Sequence, residues 1–281
     1  MSSQDPSAQV LPIVPNVMLD ALREARRLVI LTGAGMSAES GIPTYRDAIN
    51  GLWVKFNPLE LGSPAGWAAD RDRVWAWSEW RRGMMQRAQP NPGHLAIPKL
   101  AKALKKASGP DVTVDVITQN VDNLHERAGS KHVLHLHGTL FAPWCCLCGR
   151  RGNFAGPPPT EQILRIPPPK CKYCEGVLRP GVVWFGEGLP NYVWRHAEQL
   201  VIDCDVLLVV GTSGLVFPVA RLPVMAREDD KWVGEINPNV TELSDKVSLH
   251  WQTTAALGLT ALIDALRGRS GSRPILSRRQ S

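Results

Sequence analysis

Several short runs of hydrophobic residues along the chain end in small or polar residues. They are RLVILTG (27–33), VDVITQN (114–120), DVLLVVGTS (205–213) and WVGEINP (232–238). Between them lie amphipathic patterns with helical spacing, such as HLAIPKLAKALKKA (94–107). Continuous apolar runs that alternate with helices are typical of a parallel sheet covered on both faces. The pattern therefore predicts an α/β fold built on a doubly wound parallel sheet.

Two stretches interrupt this alternation. Residues 44–92 are rich in Trp, Arg and Pro, and residues 140–179 contain the breakers GPPP and IPPPK. We expect the two stretches to form one small, partly helical lobe beside a large α/β domain. The expected division is a large domain of about 17–43, 93–138 and 180–268, a small lobe of about 44–92 and 139–179, and flexible tails at 1–16 and 269–281.

Composition excludes several classes of protein. The chain is 44% hydrophobic and 21% charged, as in an ordinary globular protein, and it has no apolar run long enough to span a membrane. Its first residues carry neither a secretory signal nor an arginine-rich transit pattern, so we expect a cytoplasmic protein, with a mitochondrial or nuclear location left open. Most of the net charge of +6 comes from five arginines in RGRSGSRPILSRRQS (267–281). Such a tail is more often a solvated end than a nucleic-acid site, and we expect a monomer.

Four of the six cysteines form two Cys-x-x-Cys pairs, which are Cys145 with Cys148 and Cys171 with Cys174. This spacing is typical of a structural zinc site, and in a chain without an export signal it favours metal over disulfides. Four thiolates leave no open coordination position, so the metal would stabilise the small lobe without taking part in chemistry. A redox role for the pairs, or Cys146 as a competing ligand, is the alternative.

A glycine-rich loop follows the first apolar run. Gly33-x-Gly35-x-x-Ala38 matches a dinucleotide-binding fingerprint, in which small residues let backbone N–H groups approach a pyrophosphate. The acidic residue that usually follows about 20 positions later is missing, since Asp47 comes too early and Glu60 too late. On this loop alone, a tight turn between strand and helix explains the pattern equally well.

The loop as a whole, GAGMSAESGIPTYR, resembles the cofactor loop of the sirtuins, the NAD-dependent protein deacylases. TQNVDNLHERAG, HLHG, VVWFGE, GTS and INP follow in that family's order, and the resemblance covers about residues 20–265. It implies a Rossmann-like domain, NAD as co-substrate, one structural Zn²⁺, and acyl-lysine proteins or peptides as partners. The NAD-binding residues that it implies are Gly33, Ala34, Gly35, Ser37, Ala38, Thr44, Tyr45, Arg46, Gln119, Asn120, Asp122, Gly211, Thr212, Ser213, Asn237 and Thr253.

Polar residues after the second run, together with the histidines of HLHG, would carry the chemistry. The resemblance implies that Asn120 and Asp122 hold the nicotinamide carboxamide and that Gln119 contacts the adjoining ribose, although Asn120 or Asp122 could instead cap a helix. His137 matches the family's general base, suited to take a proton from a ribose hydroxyl. Period-two alternation places His135 and His137 on one strand face. We expect the remaining histidines to be structural, namely His94, His125, His132, His196 and His250.

The implied reaction consumes NAD. The acyl-lysine amide oxygen attacks the anomeric carbon and expels nicotinamide, and the base-assisted steps that follow release lysine and O-acyl-ADP-ribose. Two other functions are open on the same fold. The activated ribose could be diverted to water or another nucleophile, as in an NAD glycohydrolase or ADP-ribosyltransferase, or the protein could be a non-enzymatic NAD sensor.

The segment RVWAWSEWRRGMM (73–85) would line the acyl pocket. Class III sirtuins, which prefer succinyl or malonyl groups, carry Tyr-x-x-Arg on one helix face, and this chain has Ser78 and Arg81 at those positions with a small residue, Gly62, elsewhere in the pocket. The pair predicts acidic-acyl activity through Arg81, with acetyl or longer acyl groups as alternatives. Arg81 and Arg82 could also be a solvated face. Beside Ser78 and Arg81, we expect Trp77, Trp80 and Met84 to form an apolar face that packs the lobe or lines the pocket.

VVWFGE would bind the substrate peptide by adding it as a strand. The residues of this segment that we expect to bind the substrate are Val183, Trp184, Phe185, Gly186 and Glu187. The alternative is a buried strand.

Overall fold

The computed structural model describes residues 10–44 and 58–268, without the side chains of residues 58 and 59. The helices of this part are α1 Asn16–Glu24, α2 Gly35–Ala38, α3 Pro58–Leu61, α4 Pro64–Ala69, α5 Arg71–Arg87, α6 Pro92–Ser108, α7 Leu124–Arg127, α8 Asn191–Asp203, α9 Arg221–Glu228 and α10 Ala255–Leu266. The strands are β1 Arg27–Thr32, β2 Thr113–Thr118, β3 Val133–His135, β4 Trp144–Cys145, β5 Leu178–Arg179, β6 Val206–Val210, β7 Trp232–Ile236 and β8 Leu249–Trp251.

Six strands form one parallel sheet in the order β3-β2-β1-β6-β7-β8. The four apolar runs form its central strands, β2, β1, β6 and β7, so the predicted parallel sheet is confirmed. The chain leaves β1 toward β2 on one side and later returns to β6 on the other. The point where the strand order reverses therefore lies between β1 and β6, and ligands of such sheets bind at the carboxyl ends of the strands there.

Alternate residues of the central strands face two separate cores. In β1, Leu28 and Ile30 pack with α1, α6 and α10, whereas Val29 and Leu31 pack with α8 and α9. Because successive side chains of a strand point to opposite faces, a strand buried on both faces must be apolar at every position. Helices thus cover both faces of the sheet, and the doubly wound arrangement is confirmed.

A third hydrophobic cluster joins the two stretches that interrupt the alternation. It contains residues of α3, α4 and α5 together with residues around the cysteine pairs and one tryptophan of the VVWFGE segment. Its buried members are Leu61, Trp67, Val74, Trp75, Trp77, Cys145, Cys171, Leu178 and Trp184. The short antiparallel pair of β4 and β5 lies beside this cluster. The two stretches therefore share one core, apart from the two cores of the sheet.

Helix α5 is buried on more than one face. Asp70 caps its first turn by accepting a hydrogen bond from the Arg73 backbone N–H (3.1 Å). Arg82 donates two hydrogen bonds to the Glu79 carboxylate (2.9 and 2.7 Å), and its guanidinium lies 3.7 Å from the centre of the Phe154 ring. The alternative that Arg82 belongs to a solvated face is therefore wrong, since its side chain is 7% exposed.

Among all described helices, none is long and apolar enough to cross a membrane.

Candidate active site

A cleft of about 780 Å³ opens at the carboxyl ends of β1, β2 and β6. All predicted NAD-binding, catalytic and substrate-binding residues that the structure describes line it, with the exception of Thr253. These residues are Gly33, Ala34, Gly35, Ser37, Ala38, Thr44, Ser78, Arg81, Gln119, Asn120, Asp122, His137, Val183, Trp184, Phe185, Gly186, Glu187, Gly211, Thr212, Ser213 and Asn237. Tyr45 and Arg46 lie outside the described residues. Residues distant in sequence thus meet at the edge where the sheet is expected to bind ligands.

The glycine loop packs directly against the loop after β6. The Gly35 backbone N–H donates to the Gly211 carbonyl oxygen (2.8 Å), and a Cβ at position 35 would lie 2.8 Å from the Gly211 Cα. Gly211 itself has a φ of +63°, which side chains disfavour. The two loops can approach this closely only because both positions are glycine. This close packing brings Ala34 and Thr212 into the same wall of the cleft.

Asn120 and Asp122 belong to a buried polar network centred on Ser37. The Ser37 hydroxyl donates to Asp122 Oδ2 (2.9 Å) and accepts from Asn120 Nδ2 (3.1 Å). Asp122 Oδ1 accepts from the Leu124 backbone N–H (3.0 Å), so this carboxylate also caps the start of α7. Burial raises the pKa of Asp122 above its ordinary value, against the lowering effect of these hydrogen bonds. The network fixes two side chains that line the cleft in single orientations.

Two buried histidines extend this network below the cleft. His94 Nε2 lies 3.4 Å from Ser37 Oγ, His125 Nε2 lies 3.0 Å from Thr32 Oγ1, and the two rings are 4.9 Å apart. Burial lowers the pKa of His94 to about 4 and that of His125 to about 3, so both rings are neutral. The sequence gives no local signal that these two histidines meet, because they lie on different helices.

His135 is the last residue of β3 and His137 lies in the turn after it, so His137 is not on the predicted strand, and the two histidines also differ in charge. His135 faces two acceptors, the Asn120 carbonyl oxygen (3.0 Å) and Glu126 Oε1 (2.6 Å), so both ring nitrogens carry protons. Burial lowers the pKa of His135, but the hydrogen bond and charge of Glu126 outweigh burial and raise it above its ordinary value. The two acceptors therefore favour the charged form of His135.

His137 is held in the opposite state. Its Nδ1 lies 3.0 Å from the Gln119 carbonyl oxygen. Since a carbonyl can only accept, Nδ1 carries the proton and Nε2 carries the lone pair of a base. Burial lowers the pKa of His137 below its ordinary value, although the bond to Gln119 opposes this effect. His137 is therefore a neutral imidazole in the wall of the cleft at neutral pH.

The family-model comparison then decides the family. A model described as the Sir2 family matches residues 33–218, more than half of the chain. The chain belongs to the Sir2 family. The resemblance to sirtuins, inferred from the glycine loop and the five segments after it, is thereby confirmed.

Relatives of this Sir2-family chain carry consistent names. It is 51% identical to "NAD-dependent protein deacylase 1" of Pseudomonas aeruginosa over 223 residues, which cover 79% of this chain and 86% of the relative. It is 46% identical to "NAD-dependent protein deacylase 2" of Corynebacterium efficiens over 244 residues, 87% of this chain and 94% of the relative. A solved Sir2 homologue–NAD complex superposes with a TM-score of 0.82 at 40% identity, covering 92% of this chain and 95% of the other.

Beside α5, Ser78 and Arg81 line the wall of the Sir2 cleft together with Leu61, Gly62 and Trp77. The Ser78 hydroxyl donates to the Val74 carbonyl oxygen (2.9 Å) one turn earlier. Burial lowers the pKa of Arg81 to about 10, partly offset by the negative charge of Asp122, so the guanidinium stays charged at neutral pH.

The predicted apolar face of α5 is only partly correct. Trp77 lines the cleft and Trp80 packs against the third hydrophobic cluster, as expected, but Met85 rather than Met84 lies in the cleft wall.

The VVWFGE segment of this Sir2 protein is irregular, so the alternative of a buried strand is wrong. Only Val182 makes an isolated bridge, with Gly138. The Val183 N–H donates to the His137 carbonyl oxygen (2.9 Å) and the Phe185 N–H to that of Gly62 (2.8 Å). The segment therefore connects the backbone of His137 to that of Gly62.

The part of the cleft around Thr212 and Asn237 differs from the prediction at one residue, Thr253. Gln119 Nε2 donates to Thr212 Oγ1 (2.9 Å), and Asn237 Nδ2 donates to the Thr212 carbonyl oxygen (2.9 Å). Thr253 is buried outside the wall, and the neighbouring Thr254 and Ala255 line it instead.

Glu39 was missed by the sequence analysis. It lines the cleft, and its carboxylate accepts hydrogen bonds from Thr254 Oγ1 (3.2 Å) and the Ala256 N–H (3.1 Å) at the start of α10. Its place inside the glycine loop was the available signal.

The four predicted zinc ligands converge away from the cleft. The sulfur atoms of Cys145, Cys148, Cys171 and Cys174 all lie within 4.8 Å of one another. The backbone N–H groups of Cys148 (3.5 Å) and Leu147 (3.3 Å) donate to Cys145 Sγ and lower the pKa of that thiol to about 6. Thiolates held in this way fit one tetrahedral zinc ion. Cys146 is exposed and lies outside the cluster, and Cys204 is buried in the second core of the sheet.

Proposed function

We propose that the protein is an NAD-dependent protein-lysine deacylase. The observation that carries the proposal is His137, a neutral imidazole whose tautomer is set by the Gln119 carbonyl and whose ring lies in the wall of the cleft. The names of its relatives, NAD-dependent protein deacylases at 46% and 51% identity, support the same activity. Acyl-lysine proteins or peptides are the partners that this activity requires.

The cleft residues fit NAD as the co-substrate. Small residues of the glycine loop, above all Gly33 and Gly35, allow close approach of a pyrophosphate to the backbone. The buried network of Asn120, Ser37 and Asp122 offers amide and carboxyl groups for a carboxamide. Gln119, Thr212 and Asn237 lie next to one another in the cleft, where they would bind ribose hydroxyls.

The remaining residues named for NAD binding line the same wall and would contact the co-substrate through backbone or short side chains. They are Ala34, Ala38, Thr44, Gly211 and Ser213. Roles for Tyr45, Arg46 and Thr253 stay predictions. NAD supplies the ribose to which the acyl group is transferred, with release of nicotinamide and O-acyl-ADP-ribose.

His137 would act as general base. Its Nε2 lone pair can take a proton from a ribose hydroxyl, while Nδ1–H stays bound to the Gln119 carbonyl and keeps the ring in place. The lowered pKa keeps the ring unprotonated at neutral pH. Positioned bases of this kind contribute about 10²- to 10⁴-fold to a rate.

The acyl group that the protein prefers is proposed to be acidic, such as succinyl or malonyl. Among the described residues that line the cleft, Arg81 is the only lysine or arginine. A guanidinium can bind a carboxylate through two parallel hydrogen bonds. Ser78 cannot replace a tyrosine hydroxyl as the second donor while its own hydroxyl donates to Val74. Arg81 would therefore carry the selectivity alone, and plain deacetylation is the competing outcome.

Release of free lysine tests both parts of this proposal. Peptides that differ only in an acetyl, malonyl or succinyl group are incubated with and without NAD, using wild type, Arg81→Met and the control Arg87→Met. Arg87 lies exposed in the last turn of α5, outside the cleft wall. Deacylation should require NAD, and Arg81→Met alone should lower the succinyl-to-acetyl ratio by about tenfold or more. An unchanged ratio would refute the role of Arg81.

Three further expectations about the whole protein stay predictions. They are a cytoplasmic location, a monomeric state and the lack of a nucleic-acid partner. The division into a large domain and a small lobe is likewise proposed, supported by the separate hydrophobic cluster that the two interrupting stretches share.

A further inference from the structure

Arg179 ends strand β5, next to the cysteine cluster, and reaches toward the cleft. Its side chain is 9% exposed, and its guanidinium lies 3.5 Å from the ring centre of Trp184 and 4.8 Å from that of Trp144. Strand β5 is fixed in turn, because Leu178 and Arg179 pair with Cys145 and Trp144 of β4. A planar cation packed on two indoles has little freedom to move. Arg179 is thus a rigid extension of the cysteine-containing part of the chain.

The Arg179 guanidinium donates hydrogen bonds to both ends of residues 182–187, the segment that lines the cleft. Nη1 donates to Glu187 Oε1 (2.6 Å), and Nη2 donates to Glu187 Oε2 (2.8 Å) and to the Val182 carbonyl oxygen (3.1 Å). Glu187 Oε2 also accepts the Trp184 backbone N–H (2.9 Å). One arginine therefore holds both ends of the 182–187 segment, and its partner carboxylate holds the middle.

Two residues between these ends are hydrogen-bonded to the backbone of other residues that line the cleft. Val183 is bonded to the backbone of His137, and Phe185 is bonded to the backbone of Gly62. A shift of the 182–187 segment would therefore move both the proposed base, His137, and the part of the cleft at Gly62 that is proposed to hold the acyl group. A contact that does not touch the reacting atoms can still change the rate strongly, if its loss displaces bound groups by about 1 Å.

The bidentate pair is ionised and largely shielded. Burial raises the pKa of Glu187, but the hydrogen bonds and charge of Arg179 outweigh burial and lower it below its ordinary value. With both carboxylate oxygens bonded to Arg179, and one also bonded to the Trp184 N–H, Glu187 is committed to the protein rather than to a substrate.

We propose that Arg179 is a positioning residue that holds the 182–187 segment, through Glu187 and Val182, in the conformation that binds the acyl-lysine peptide. This inference rests on the proposed deacylase function. It assigns to Arg179 and Glu187 a role in peptide affinity without contact to the reacting atoms. The residues proposed to bind NAD are other residues of the cleft, so NAD affinity should depend little on this pair.

The first test is hydrogen exchange measured by mass spectrometry, which needs no activity. Arg179→Met is compared with wild type and with Arg151→Met, which removes an exposed arginine from the same part of the chain. Backbone amides of residues 182–187 should exchange faster only in Arg179→Met, while the central strands 113–118 and 206–210 exchange as in wild type. Unchanged exchange in 182–187 would overturn the proposal.

The second test is steady-state kinetics of the same variants. Arg179→Met should raise KM for the acyl-lysine peptide by about tenfold or more and leave KM for NAD within about twofold. Arg179→Lys, which keeps the charge but loses the planar pair of donors, should give an intermediate KM. Equal increases in both KM values would contradict a role specific to the peptide.

Two controls keep the outcome interpretable. If Arg179→Met fails to fold, Glu187→Gln removes the ion pair from the other side and should show the same faster exchange and higher peptide KM; an unaltered Glu187→Gln would overturn the proposal. If wild type fails to deacylate any peptide, the proposed function fails, while hydrogen exchange still decides whether Arg179 holds the 182–187 segment.

Discussion

The hydroxyl of Ser78 donates a 2.9 Å hydrogen bond to the carbonyl oxygen of Val74, one turn earlier in α5. Serine often bonds to the preceding turn of a helix in this way, and its donor is then unavailable to a ligand. The position is buried but lies in the cleft wall, so a larger side chain placed there can extend into the cleft.

Restoring a phenol at this position should strengthen the selectivity for acidic acyl groups. Ser78→Tyr adds one donor beside Arg81, and a hydrogen bond to a charged group contributes about 1.5–3 kcal/mol. We expect the succinyl-to-acetyl ratio of kcat/KM to rise about tenfold in Ser78→Tyr. Ser78→Phe, which adds the ring without the hydroxyl, should not raise it. Equal ratios in the two variants would show that volume, and not the hydroxyl, controls the acyl group.

The ion pair of Arg82 and Glu79 is expected to stabilise α5 without affecting acyl preference. Arg82→Met would leave a buried carboxylate without its partner, which costs about 3–5 kcal/mol in comparable pairs. Denaturant unfolding should show that loss, and the double variant Glu79→Gln with Arg82→Met should recover part of it. A loss below about 1 kcal/mol in Arg82→Met would mean that water reaches Glu79 easily.

The cysteine cluster should bind one zinc ion that stabilises the fold and takes no part in chemistry. Cys145→Ser removes a ligand from the cluster, whereas Cys146→Ser changes the adjacent, exposed thiol. Elemental analysis after dialysis should find about one zinc per chain in wild type and Cys146→Ser, and much less in Cys145→Ser, with a lower melting temperature. Full zinc content in Cys145→Ser would contradict the assignment.

The central part of the fold was predictable from sequence because it depends on local patterns. β1 and β6 are buried on both faces, so their apolar runs are continuous. The edge strand β8, Leu249–Trp251, has three residues and a central histidine, and so carried no such pattern. The catalytic candidates were named through the resemblance of their segments to the sirtuins, and the parallel sheet explains only why polar residues after its strands meet at one edge.

The remaining features depend on contacts between residues far apart in the chain. Arg82 was open to interpretation as a solvated residue because its contact with Phe154 crosses from one interrupting stretch to the other. The hydrogen bond from Ser78 to Val74 and the ion pair of Arg179 with Glu187 depend on side-chain orientation and burial. Periodicity in the sequence does not record these quantities.

The pH dependence of deacylation should follow the protonation of His137. The neutral ring is the active base, so activity is lost as the pH falls through the pKa of His137, which burial places below its ordinary value. The acid limb of kcat/KM should therefore have its midpoint below about pH 6.5, the usual value for histidine. A midpoint above that value would contradict the lowered pKa of His137.

The most direct measurement is nicotinamide release from NAD with and without an acyl-lysine peptide, followed together with free lysine. The account predicts that wild type releases nicotinamide only with the peptide, in step with free lysine. It also predicts that His137→Ala loses lysine release by at least about 100-fold while its circular dichroism and melting temperature stay near those of wild type. Peptide-independent nicotinamide release, as in an NAD glycohydrolase, or full lysine release by His137→Ala would contradict it.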